Sequence, residues 1–167
     1  MESEALNNTL VMYEEEFQAI KLLLNTLRMD ASAKIVFLVD KNGQQIADAG
    51  DVDSIDTTSL ASLTAGNVAA TDGLAKLIGE KEFSILFHEG RKDNIHISIV
   101  GQRLILVVIF DERSSLGLVR LRVRKASPDL EKVLNEMEAK GTEVGTVETI
   151  SLFAEITDDD IDALFSE

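Results

Sequence analysis

Cysteine and tryptophan are absent from this chain, and proline and tyrosine occur once each. Without a thiol there can be no disulfide, no thiolate metal site and no cysteine nucleophile. A lone tyrosine with no tryptophan offers little on which nucleic-acid bases could stack. Positive charge is scarce as well: 16 Lys and Arg face 30 Asp and Glu, a formal net charge of −14, which argues against a general binder of phosphate backbones. The longest strongly apolar stretch, Leu104 to Phe110, has strand length and falls far short of the roughly 20 residues of a bilayer span. The opening Met1-Glu2-Ser3-Glu4 is acidic where a secretory signal would be basic, so a cytoplasmic location without membrane insertion is expected.

Catalytic motifs are missing too. His88 and His96 are the only histidines, and neither a nucleophile elbow nor a phosphate loop accompanies them. Both are expected to be satisfied surface or strand-end residues. Asp51-Val52-Asp53 and Asp158-Asp159-Asp160 lack the glycine and spaced glutamate of a calcium loop, so turn and cap roles explain them, and neither metal nor cofactor is expected. Arg113, in Asp111-Glu112-Arg113-Ser114-Ser115, has the chemistry of an arginine finger offered in trans to a GTPase; its acidic neighbours favour a local ion pair or a helix start. The basic run Arg113, Arg120, Arg122, Arg124 and Lys125 reads as a solvated helix face.

What is present is one alternating α+β pattern in 167 residues, 45% of them hydrophobic, enough for a single core. Apolar residues Phe17, Ile20, Leu23, Leu24 and Leu27 predict an amphipathic helix from about Val11 to Met29, and Glu14-Glu15-Glu16 suits its N-terminal dipole. A strand from Lys34 to Asp40 follows, then the turn Asp40-Lys41-Asn42-Gly43 and a second strand from Gln44 to Gly50. Beyond a middle helix come strands at Phe83 to His88, Asn94 to Val100 and Arg103 to Phe110, joined by short turns and therefore antiparallel, the last reading as central. In the middle one, His96 and Ser98 point away from the face of Ile95, Ile97 and Ile99. From Ser115 to Lys140 a helical stripe outlasts the strand-like Leu121-Arg122-Val123-Arg124, giving one helix, kinked at Pro128, or two with Ser127 as cap. Residues 141–154, rich in Gly, Thr and Glu, are expected to form a flexible linker to a short acidic helix at 155–167.

The middle helix carries the most informative pattern. Asp56, Thr57 or Thr58 can cap it and Gly79 ends it. At about 100° per residue Leu60, Leu63, Asn67, Leu74 and Ile78 share a stripe expected to face the core. Roughly opposite lie Ser62, Ala65, Gly66, Ala69 and Gly73, small residues where a solvated face would carry charge. Each mid-helix glycine costs roughly 0.8–1 kcal/mol relative to alanine, so a second surface should pack closely there. That surface is either a partner or a crowded layer of the same monomer. In the tail, Thr157 can cap a helix that sets Ile161, Leu164 and Phe165 on one side. So short a helix is marginal alone in water; it orders either on a partner's groove or on its own domain.

The order helix, two strands, helix, three strands, helix resembles the roadblock/dynein-light-chain family over about Val11 to Lys140, within a domain set at 1–140. The wording of Val11 to Phe17, Val36 to Gly43, Ile55 to Ala70, Phe87 to Gly90, Val107 to Asp111, Ser115 to Arg120 and Glu155 to Glu167 is similar to a bacterial branch of that family. The resemblance implies the order α-β-β-α-β-β-β-α, a five-stranded antiparallel sheet with helices on both faces, and a short C-terminal helix on a flexible linker. It implies a homodimer whose sheets join and whose middle helices lie side by side as a platform for a small Ras-like GTPase. On that platform Ser62, Ala65, Gly66, Ala69 and Gly73 are the contacts implied, with Ile161, Leu164 and Phe165 contacting the GTPase separately and affecting exchange. The activity implied is stimulation of GTP hydrolysis without an arginine finger, in polarity and gliding motility and with concentration at a cell pole. The rival is a non-stimulating scaffold bridging other polarity or trafficking proteins.

Overall fold

The computed structural model describes residues 13–154, with side-chain surroundings through residue 141. In chain order the elements are α1 (Glu14–Asp30), β1 (Ile35–Asp40), β2 (Gln45–Gly50), α2 (Thr57–Leu77), β3 (Ile85–Glu89), β4 (Asn94–Val100), β5 (Leu104–Phe110) and α3 (Leu116–Ala154). All strand neighbours are antiparallel, in the spatial order β2-β1-β5-β4-β3. This is the five-stranded arrangement expected from the sequence. Every residue of β1 and of β5 is buried, because these strands occupy the middle of the sheet and are covered on both faces.

Alternation along the strands sorts the core into two layers. Ile35, Phe37 and Val39 of β1, Ile97 of β4 and Ile105, Val107 and Ile109 of β5 form one apolar cluster with Ala61 and Val68 of α2. The other face carries Val36, Leu38, Leu106, Val108 and Phe110, all buried, together with His96 and Ser98. On α1, Ile20, Leu24 and Leu27 are buried, and the Lys21 ammonium donates to the Asp48 carbonyl on β2 at 2.7 Å.

The β1–β2 turn follows its sequence signal. Gly43 takes φ +90°, a left-handed conformation that suits glycine, and its amide donates to the Asp40 carbonyl at 2.9 Å. The buried Asp40 carboxylate accepts from the Asn42 amide at 2.8 Å and from Arg103 Nε at 3.2 Å.

Of the two readings of the last helix, the single helix holds. α3 runs through Pro128, with the Ser127 hydroxyl donating back to the Val123 carbonyl at 2.8 Å. Residues 141–154, expected as a linker, are helical backbone to Ala154. Contacts divide the chain into a body at Glu14–Val133 and a second unit that includes Tyr13 and the helix from Leu134. Within the second unit the Lys140 ammonium lies 5.8 Å from the centre of the Tyr13 ring. Among the described residues no helix is long and apolar enough to cross a membrane.

Candidate functional site

Helix α2 is well closed at both ends. Asp56 is its N-cap: one carboxylate oxygen accepts from the Ser59 amide at 3.1 Å and the other from the Ser59 hydroxyl at 2.6 Å. The Ser59 hydroxyl, then its amide, hold the Asp56 carboxyl below the ordinary value of 3.8. At the far end Gly79 takes φ +84°, and the Ile78 and Glu80 amides donate to the Ala75 carbonyl.

The helix is turned differently from the expected stripe. Leu63, Leu74 and Ile78, predicted to face the core, are 73%, 60% and 70% exposed, while Leu60 and Asn67 are half-buried. The buried residues are Ala61, Thr64, Val68 and Ala75. The strands explain the correction: the sheet face beneath α2 is already filled by Phe37 and β-branched residues, so small helix residues bring the backbone close. The volume comes from the sheet.

The outward face is therefore broader and more apolar than its small residues alone suggest. Ser62, Gly66, Ala69 and Gly73 are exposed, and Leu63, Ala70, Leu74 and Leu77 share that side with them. None is charged; Asp72 and Lys76 stand at its margin. Ala65 is half-buried, its Cβ 3.7 Å from where a Cβ on Gly43 would stand, so it adjoins the β1–β2 turn. A Cβ built at Gly66 or at Gly73 meets nothing within 4 Å. Crowding within the monomer thus gives no reason for either glycine.

Helix α2 is tied to the sheet edge, whose exposed Ile85 and Phe87 lie on the opposite face of the sheet from it. Asn67 and His88 pair at 3.0 Å through Nδ2 and Nε2, tying the middle of α2 to β3. Strand β3 is an edge strand whose Ile85 is 45% and Phe87 38% exposed, with the Phe87 ring stacked 6.2 Å from that of Phe110.

The remaining candidates separate. Arg113 donates from Nε to the Asp111 carboxylate at 3.0 Å, which holds that carboxyl down and the guanidinium up; it is committed locally. Asp51 accepts from the Asp53 amide at 3.2 Å, a turn role. Among the described residues no group of three or more His, Asp or Glu could hold a metal. His88 is exposed and hydrogen-bonded, as expected, but His96 is not a satisfied surface residue: it is fully buried and neither ring nitrogen has a partner. Burial, then the Arg120 charge, push its imidazole below 6.5, leaving it neutral at pH 7. Ile161, Leu164, Phe165 and Asp158-Asp159-Asp160 lie outside the described residues.

Comparison with known proteins gives this geometry a setting. The Roadblock/LC7 domain model matches residues 19–110. Myxococcus xanthus MglB is 64% identical, covering 77% of this chain and 96% of its own, with a TM-score of 0.72. The gliding protein MglB of Thermus thermophilus is 30% identical over 78% of this chain and 99% of its own, also at a TM-score of 0.72. A further solved structure, of MglB in a tetrameric arrangement, is 29% identical over 79% of this chain and 99% of its own, with a TM-score of 0.73. No curated protein sequence matches.

Proposed function

This chain belongs to the Roadblock/LC7 family, and from that membership we propose that it is a homodimeric, MglB-type regulator of bacterial polarity and gliding motility that activates a small Ras-like GTPase of the MglA type. The observation that carries the reading is the outer face of α2, apolar, uncharged and open above Gly66 and Gly73. Exposed apolar surface of this extent marks an interaction site. The adjoining β3 edge offers unpaired backbone groups to a second copy, and an antiparallel pairing there would set two α2 helices beside each other. The joint platform then receives one GTPase through Ser62, Ala65, Gly66, Ala69 and Gly73.

Activation on this reading is positional. Arg113 is held by Asp111, so no free arginine finger is supplied from that position; binding stabilises the GTPase's own catalytic residues in their productive arrangement. Residues 155–167 are proposed as a second contact, with Ile161, Leu164 and Phe165 engaging the GTPase and favouring nucleotide exchange. Deleting 155–167 is expected to weaken GTPase binding or slow exchange while leaving the dimer intact; unchanged affinity and exchange rate would remove the tail from the proposal. The test of the whole is GTP turnover by the MglA-type GTPase with and without this protein. Acceleration supports an activator, whereas binding without acceleration favours a scaffold.

A further inference from the structure

A second feature lies on the opposite face of the sheet from the α2 cluster. Between β3, β4 and the N-terminal half of α3 is a cavity of about 250 Å³, just below the roughly 300–1,000 Å³ of common small-molecule clefts. Its floor holds His96, fully buried, and Ser98, 5% exposed. Neither imidazole nitrogen nor the serine hydroxyl has a hydrogen-bond partner. Leaving a buried polar group unpaired costs roughly 1–3 kcal/mol, and here three such atoms belong to two residues behind one cavity.

The charges around it are specific. Arg120 and Arg124, one helical turn apart on α3, both line the cavity, and no ion pair within the described residues engages either. In a chain of net charge −14 such a pair is unusual local chemistry. Glu131 is the one acid in the lining and offsets one of the two arginines, leaving a single net positive charge. Ile85, Val123 and Pro128 supply apolar wall. We propose that this cavity binds a compact monocarboxylate with an apolar body, its carboxylate held by Arg120 and Arg124 in front of the buried His96 and Ser98. The ligand's single charge balances the lining, and its body fills the apolar part. Because His96 and Ser98 face away from the α2 cluster, the site can be filled while the outer face of α2 is in use.

Benzoate is a suitable probe, followed by imidazole NMR of the full-length protein. Saturable shifts at the His96 ring are expected, with its titration midpoint moving up as the bound carboxylate offsets the Arg120 charge. R120Q, at an exposed helix position, is expected to weaken benzoate at least about tenfold, the loss of one charge-assisted hydrogen bond. Phenol, of similar shape without the charge, should bind far more weakly, and phenyl phosphate should improve relative to benzoate in E131Q. No saturable His96 shift, which would mean a cavity holding only water, overturns the proposal. Equal benzoate binding by R120Q does so as well, and phenyl phosphate binding wild type as tightly as benzoate would overturn the choice of a monocarboxylate.

Discussion

The two edges of the sheet are finished in different ways. At the β2 edge the chain closes on itself: Ala47 and Ala49 are buried, Lys21 of α1 reaches the Asp48 carbonyl, and the turn is fastened by Asp40, Asn42 and Arg103. At the β3 edge Ile85 and Phe87 stand open, and nearby α2 shows leucines and bare glycines outward. One edge spends its polar groups and ion pairs internally. The other exposes apolar side chains beside an edge strand, the condition that natural sheets usually avoid by charge or cover.

The sharpest way to test this contrast is to damage each edge separately. Replacing Asp40 by alanine removes the buried carboxylate that accepts from the Asn42 amide and the Arg103 guanidinium, so unfolding free energy is expected to fall by about 3 kcal/mol. Denaturant unfolding measures it. A loss confined to a few tenths would mean that the β2 edge is not fastened as described.

At the other edge the expected effect is on assembly. Leu63→Asp with Leu77→Asp should leave the single protomer's stability within roughly 0.5 kcal/mol per site, because both side chains are solvent-exposed in it. Two leucines buried between copies are worth roughly 1.5–3 kcal/mol each, so the dimer dissociation constant should rise by about a hundredfold or more. Sedimentation equilibrium reads this directly. A double variant that dimerises like wild type would show that α2 faces solvent in the assembly too.

The smallest expected effect is a pH dependence at the start of α2. The folded Asp56 carboxyl titrates below its ordinary 3.8, so its capping contribution is complete above that value and disappears as pH falls through the depressed one. NMR titration of the carboxyl should place the midpoint below 3.8, and Ser59→Ala should move it up. A midpoint unchanged by that substitution would take the cap out of the account.

How much of this is legible in the sequence follows from where volume sits. The continuous apolar runs of β1 and β5 and the Asn-Gly turn are readable because each is a local signal with one structural solution. The rotation of α2 is not. Leu63, Leu74 and Ile78 look like a core stripe by size, yet Ala61, Thr64, Val68 and Ala75 also recur at helical spacing and are the ones beneath. Choosing between the two stripes needs the opposing surface, and Phe37, Ile105 and Val107 lie far off in sequence. The small-residue face around Gly66 and Gly73 is legible because it depends on the helix alone, though its leucine margin comes only with the structure. His96 escapes for a similar reason: strand alternation places it opposite Ile97, but only the packing of α3 over that side buries it.

The central claim is that the outer face of α2 is the working surface of this regulator. GTP turnover by the MglA-type GTPase should be measured with wild-type protein and with Ala69→Arg combined with Gly73→Arg, after circular dichroism confirms that both are folded. Both substituted positions point to solvent, and a Cβ at Gly73 meets no neighbour, so the fold should tolerate them. The expected result is acceleration by wild type and none by the double variant. A folded double variant that accelerates hydrolysis as well as wild type would contradict the account.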